Sequence, residues 1–133
     1  MLRKLQEKDL EILRQMRNEN REWFFHNASI STEEQQHWYD NLPANLSFYV
    51  LEEDGRIIGS VSLTEHLEGV EVGNILLDAK YRGRGLMHVA ISNLISQAPG
   101  KRYYARVLAG NENSLRLFRS SGFKDVYITL EYK

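Results

Sequence analysis

The sequence predicts an α/β (α+β) domain, a mixed and mostly antiparallel sheet flanked by helices, in the order β-α-α-β-β-β-α-β-α-β. Three observations carry that expectation. Over residues 46–77 apolar positions alternate with polar ones in three runs, broken by turns at Glu53-Asp54-Gly55-Arg56 and Leu67-Glu68-Gly69. That is the pattern of an antiparallel meander. Two segments of helical spacing precede it, and residues 74–96 (NILLDAKYRGRGLMHVAISNLIS) pass from an apolar strand through a glycine-rich loop into an amphipathic helix. The 133 residues fill one core and are too few for two, so a single domain spans 1–133.

Taken in order, residues 2–5 form a short first strand. Asp9 stands where an N-cap belongs, ahead of a helix to about Asn18 with Leu10, Leu13 and Met16 as its buried stripe. The next segment, NENREWFFHNASIS, sets Trp23, Phe24 and Phe25 side by side, beside His26 and downstream of Arg17 and Arg21. Three adjacent aromatics cannot all enter one core from a helix or a strand. Either two are buried and one lines a groove, or the cluster is a binding wall, with aromatic faces for a ring and arginines for an acid or phosphate. Ser31 with Glu34 makes a capping box, so a second helix runs from Thr32 to about Asn41, anchored by Trp38 and Leu42, with His37 outward.

The meander strands cover 46–52, 57–65 and 70–77, and Gly73 in the third marks a bulge or a close backbone approach. The helix after the glycine loop has Leu86, Val89, Ala90, Leu94 and Ile95 as its apolar face and stops at Pro99-Gly100. A fifth strand spans 103–108. The last helix starts over 110–114, turns Leu115, Leu117 and Phe118 inward and closes at Gly122, and a final strand spans 123–132.

The glycine loop is a way to build an anion site. Gly83 and Gly85 remove side chains so that backbone N–H groups approach a phosphate closely, and the helix N-terminus adds unpaired donors and partial positive charge. Arg82 and Arg84 supply cationic arms that fork onto phosphate oxygens. A Walker loop needs a longer span and a terminal Lys-Ser/Thr. A dinucleotide fingerprint needs a third glycine, where this chain has His88.

Composition narrows the function classes. Formal net charge is −1, so no global basic field points to nucleic acid or acidic membranes. No apolar run reaches membrane-helix length, and the first residues, MLRKLQEKD, hold no signal core, which makes the cytoplasm the expected location. With no cysteine there is no disulfide, cysteine nucleophile or thiolate metal site, and the four scattered histidines form no metal constellation.

Two separated motifs resemble one family. Arg82-Gly83-Arg84-Gly85, with Leu77 five residues earlier, is similar to the Arg/Gln-x-x-Gly-x-Gly/Ala pyrophosphate loop of the acetyl-CoA-dependent N-acetyltransferases, the GNAT superfamily; Met87 departs from its last small position. Asn111, Ser114, Leu117-Phe118 and Gly122-Phe123 resemble the family's tail pattern, in which a tyrosine usually follows the leucine. The resemblance implies that the fourth and fifth strands splay and that acetyl-CoA, the co-substrate, lies in the gap. Its pantetheine would pair with the backbone of Ile75, Leu76 and Leu77, and its pyrophosphate would rest on the amides of Gly83, Arg84, Gly85, Leu86, Met87 and His88. Asn111 and Ser114 would line the same channel.

The chemistry so implied is attack of a neutral amine on a thioester within a ternary complex. Glu71 occupies the strand position where many members carry a base, and a backbone N–H near Leu77 is the expected oxyanion donor. His26 and His66 stand as reserve bases. Phe118 cannot protonate the leaving thiolate, which leaves another acid or the helix dipole to serve. On the fifth strand, where the ribosomal-type members have a glutamate, this chain has Arg106. Residues 17–42 shape the acceptor site in the family, with Arg17, Arg21, Trp23, Phe25 and His26 as candidate substrate contacts. They resemble two branches, one acetylating amino sugars carried on nucleotides and one acetylating protein N-termini. The former is the first expectation, a ribosomal-type enzyme or a degenerate acetyl-CoA sensor the alternatives. The partner is then a small-molecule amine. The sheet, one strand shorter than in many members, leaves completion by a second copy, a homodimer, open.

Overall fold

A computed structural model describes all residues, 1–133. The period-two alternation in the middle of the chain yields β2 (Leu46–Glu53), β3 (Arg56–His66) and β4 (Gly69–Leu77), paired antiparallel in chain order. Asp54 (φ 52°) and Gly55 (φ 77°) both occupy the left-handed region at the β2–β3 turn, the geometry whose twist matches a two-residue hairpin. β1 (Leu2–Lys4) adds antiparallel to β2, and β5 (Tyr103–Tyr104) runs parallel to β4, so the spatial order is β1-β2-β3-β4-β5.

Helices cover both faces. α1 (Leu10–Glu19) buries Leu10, Leu13 and Met16 and lies over β3 and β4. α2 (Thr32–Asp40) sits beside it with the expected capping box, Ser31 Oγ accepting from Glu34 N–H at 3.1 Å and Glu34 accepting from Ser31 N–H at 3.0 Å. Trp38 meets the edge of Phe48 at 5.3 Å between ring centres. On the opposite face α3 (Leu86–Gln97) and α4 (Glu112–Ser120) pack together, and Met87, Ala90, Ile91, Leu94 and Phe118 form one cluster with Leu51, Ile58, Val61 and Val72.

Several expectations need correction. The buried stripe of α3 is Met87, Ala90, Ile91 and Leu94, while Val89 is 54% exposed, because the helix begins at Leu86 and turns its 87–91–94 face to the sheet. The bulge in β4 falls on Asn74 rather than Gly73. Ser62 pairs with Gly73 and Ser60 with Leu76, so β4 carries one residue more than β3 between these pairs, and Asn74 takes φ 51° there. Asparagine tolerates that conformation and is also pinned by it: its Nδ2 donates to Ser62 Oγ (2.8 Å) and its carbonyl accepts from Ser60 Oγ (2.7 Å). The fifth strand stops at Tyr104, and residues 123–132 form no strand; Val126, Ile128, Leu130 and Tyr132 are exposed, since alternation alone cannot make a strand without an edge to pair with.

Asp9 does not cap α1 with its side chain. It ends a preceding 3₁₀ turn, and its carboxylate points back to accept from Gln6 N–H (2.8 Å) and, bidentately, from Arg3 (2.9 Å twice), which also reaches Glu52 at 3.1 Å. Burial alone pushes the Asp9 carboxyl up, but the Arg3 guanidinium and the Gln6 N–H outweigh it and hold it below the ordinary carboxylate range. A depressed folded pKa gives stability that is full above the unfolded value, near 4, and is lost as pH falls through the folded one. We expect Asp9→Asn to lower stability by about 2 kcal/mol at pH 7 and to flatten the acid limb below pH 4, read by denaturant melts at several pH values.

Candidate active site

The β4–β5 ladder holds only the pairs Val70↔Tyr103 and Glu71↔Tyr104. Beyond them the chains diverge, as expected, and a cleft of about 670 Å³ opens between residues 72–77 of β4 and residues 106–108. The bulge sets what β4 offers to it. Val70 N–H donates to Arg102 O on the β5 side, and Asp78 N–H donates to Ile58 O on the β3 side. Counting alternately inward from those two ends turns the N–H groups of Ile75 and Leu77 toward the gap and that of Leu76 toward β3. The cleft therefore has a strand-like edge of N–H groups turned away from β3, the geometry that accepts an extended ligand as an added strand.

At one end lies the glycine loop. Gly83 (φ 82°) and Gly85 (φ 73°) are both left-handed, a conformation side chains resist, and nothing within 4 Å would meet a Cβ on either. Gly85 is the N-cap of α3 and provides no side-chain cap, so the first amides of a twelve-residue helix face the cleft without a protein acceptor from that position. Gly83, Gly85, Leu86, Met87 and His88 all line the cleft, although Met87 is 4% exposed and fills the core where the family pattern has a small residue. His88 Nδ1 lies 3.0 Å from Ser121 Oγ, tying this loop to the end of α4.

The two arginines divide their tasks. Arg82 lines the cleft but holds Leu77 O and Asn20 Oδ1, both at 3.3 Å, which fastens the loop to β4 and to the end of α1. Arg84 does not line it; it stacks on Tyr81 at 4.9 Å and lies 3.6 Å from Glu53.

At the other end stand Glu71 and the aromatic cluster. The Glu71 side chain is 15% exposed and receives Arg106 Nε at 2.8 Å and Nη2 at 3.3 Å, with His66 Nε2 at 3.5 Å. The Glu71 contact raises the pKa of Arg106 above its ordinary value, outweighing partial burial, which pushes it down. The guanidinium of Arg106 also lies 5.2 Å over the ring of Phe25. Trp23, Phe24 and Phe25 all line the cleft and none is buried, so the segment forms a wall, not a core insertion.

Arg17, Arg21 and His26 do not line the cleft. Arg17 is drawn instead over Phe24 (4.1 Å) and to His26 O (2.7 Å), and burial pushes its pKa down. Arg21 and His26 are exposed. Across the gap, Asn111 Oδ1 caps α4 by accepting from Ser114 N–H at 3.3 Å, both residues line the cleft, and Phe118 lies buried against Phe123 at 5.0 Å.

The sequence pattern does not single out Asn20 or Arg116 as cleft residues. Asn20 is found only through the fold, which brings the end of α1 beside the loop. Arg116 carries a signal, since it follows Asn113 by three on a helix whose Asn111 and Ser114 also line the cleft.

A mixed sheet splayed at its fourth strand, a bulge that turns amides into the gap and a glycine-initiated helix at one end together frame this cleft. The model of the acetyltransferase (GNAT) family matches residues 13–123, and the chain belongs to that family, whose members generally transfer acetyl groups from acetyl-CoA to amines. Solved structures agree on the fold. A domain from Methanocaldococcus jannaschii is 25% identical with a TM-score of 0.82, covering 95% of this chain and 88% of that one. A ribosomal-protein-alanine N-acetyltransferase from Brucella melitensis is 23% identical with a TM-score of 0.79, covering 96% and 86%. A predicted acetyltransferase from Clostridium acetobutylicum, solved with acetyl-CoA, is 18% identical with a TM-score of 0.72, covering 100% and 95%. Among curated proteins none matches this chain. No helix of the fold is long and apolar enough to cross a membrane.

Proposed function

We propose that the protein is a cytoplasmic N-acetyltransferase that joins acetyl-CoA and a small primary amine in one ternary complex, with the cofactor in the β4–β5 gap and the amine at the Glu71 end. The observation that carries this is the end of the ladder at Glu71↔Tyr104, which leaves strand-edge amides and the α3 N-terminus along one cleft. The pantetheine pairs with Ile75 and Leu77 while Leu76 stays with β3, and the diphosphate rests on the amides of residues 83–88. Asn111 and Ser114 border the pantetheine arm.

Glu71 takes the proton of the ammonium, through water, to give the neutral amine. That amine attacks the thioester carbon, and a gap-facing N–H of β4 near Leu77 stabilises the oxyanion. The C–S bond then breaks, the nitrogen gives up the second proton it brought into the attack, and that proton passes through water near the α4 N-terminus to the thiolate, since Phe118 has none to give. Trp23 and Phe25 form a face for a planar or sugar ring, which supports an amino sugar on a nucleotide as the acceptor. The ribosomal-type alternative calls for a more acidic groove, and Glu71 is the one carboxylate lining this cleft.

Incubation with acetyl-CoA and an amine panel, following thiol release, tests the activity. Turnover with an amino sugar is the expected result, and thermal protection by acetyl-CoA with no thiol release for any amine would make the protein a sensor instead. Arg84 faces Glu53 through an exposed pair of little worth, so a diphosphate can recruit it. Arg84→Ala should then weaken acetyl-CoA binding about fivefold at low salt and hardly at all at about 0.5 M, measured by calorimetry. A homodimer completing the sheet through residues 126–132 predicts a twofold mass by light scattering that is lost on their removal.

A further inference from the structure

We propose that Arg106 is the specificity residue of the acceptor site and binds an acidic group, carboxylate or phosphate, carried by the amine. This rests on the reading that the Glu71 end of the cleft receives the acceptor. Three guanidinium groups line the cleft, those of Arg82, Arg106 and Arg116, against the single carboxylate of Glu71. Arg82 is committed to Leu77 and Asn20 at the glycine-loop end, and Arg116 stands on α4. Arg106 alone sits between the base and the aromatic wall, 2.8 Å from Glu71 and 5.2 Å over Phe25.

Its side chain is 64% exposed, whereas that of Glu71 is 15% exposed, so the arginine is the partner free to move. Both carboxylate oxygens of Glu71 accept from Arg106 in this arrangement. A guanidinium has five donors in a planar fork, enough to keep one bond to Glu71 while it turns the others onto an incoming acid. The pair is exposed on its arginine side, so giving up one of its two bonds is offset by water and by the new charge-assisted pair. The movement uncovers one oxygen of Glu71 for the water that relays the proton from the ammonium. An acidic amine therefore both anchors itself and readies the base.

The test compares matched amines: an α-amino acid against its carboxamide, and an amino-sugar phosphate against the free amino sugar. Wild-type protein should prefer the acidic member of at least one pair by tenfold or more in kcat/KM, and the pair that shows it tells carboxylate from phosphate. Arg106→Gln should cut the acidic amine's kcat/KM about thirtyfold more than the neutral one's, chiefly through KM, with Arg106→Lys between. Equal use of both members by wild-type protein, or an equal loss for both in Arg106→Gln, overturns the proposal. Calorimetric binding of the same amines to protein saturated with coenzyme A needs no turnover. Binding of the acidic amine by wild-type protein, weakened in Arg106→Gln, supports the anchor even where thiol release fails for every amine and the transferase reading falls. Identical binding by the two proteins overturns it.

Discussion

Glu71→Gln should lower thiol release at least 100-fold while leaving acetyl-CoA affinity within about twofold. A positioned general base contributes roughly two to four orders of magnitude, and the amide replacement keeps the shape of the side chain while losing the ability to take a proton. The proposed cofactor surfaces, the gap-facing amides of Ile75 and Leu77 and the glycine loop, lie away from the carboxylate along β4. The fold should survive, because the Arg106 side chain that loses its partner is exposed and can be hydrated. Steady-state kinetics with calorimetry on the same preparation decide the matter. Unchanged turnover would remove Glu71 from the mechanism and bring forward His66, which lies 3.5 Å from it.

Gly59→Ala has the largest expected effect on stability. A Cβ at Gly59 would stand 2.3 Å from the carbonyl oxygen of Leu76, a backbone atom that cannot rotate away. Relief requires β3 and β4 to separate where Gly59 pairs with Leu77 and Ser60 with Leu76. We expect a loss of about 3 kcal/mol, seen as a fall of roughly 10 °C in melting temperature. The strands that would part carry the gap-facing amides of Ile75 and Leu77, so acetyl-CoA binding should weaken as well. By contrast Gly73→Ala meets only Ser62 Oγ at 3.8 Å, an ordinary contact, and should change stability little. The pair of variants separates a glycine required by close approach from one that is not.

Much of this site was legible in the sequence because its devices are local. Glycines ahead of an amphipathic helix, a hairpin turn of Asp54-Gly55 and a Ser31/Glu34 capping box each act within a few residues, and each is present in the structure. The sequence places the bulge one residue early because glycine is the usual signal of positive φ, whereas Asn74 reaches it with help from two buried serines fourteen and twelve residues away. The fate of Arg84, Arg17 and Asp9 could not be read, since a cation or carboxylate takes whichever partner the fold brings near: Glu53, the Phe24 ring and Arg3. Residues 123–132 alternate as a strand should, yet pairing is a property of two chains or segments, and alternation describes only one.

Amide hydrogen exchange, resolved by NMR with and without saturating coenzyme A, shows whether the β4 edge and the glycine loop hold the cofactor. The N–H groups of Ile75 and Leu77 and those of residues 83–88 should exchange at least about tenfold more slowly with the ligand bound, while Leu76, already turned to β3, changes little. Saturation confirmed by calorimetry with no slowing at Ile75 or Leu77, and protection appearing elsewhere on the fold, would contradict it.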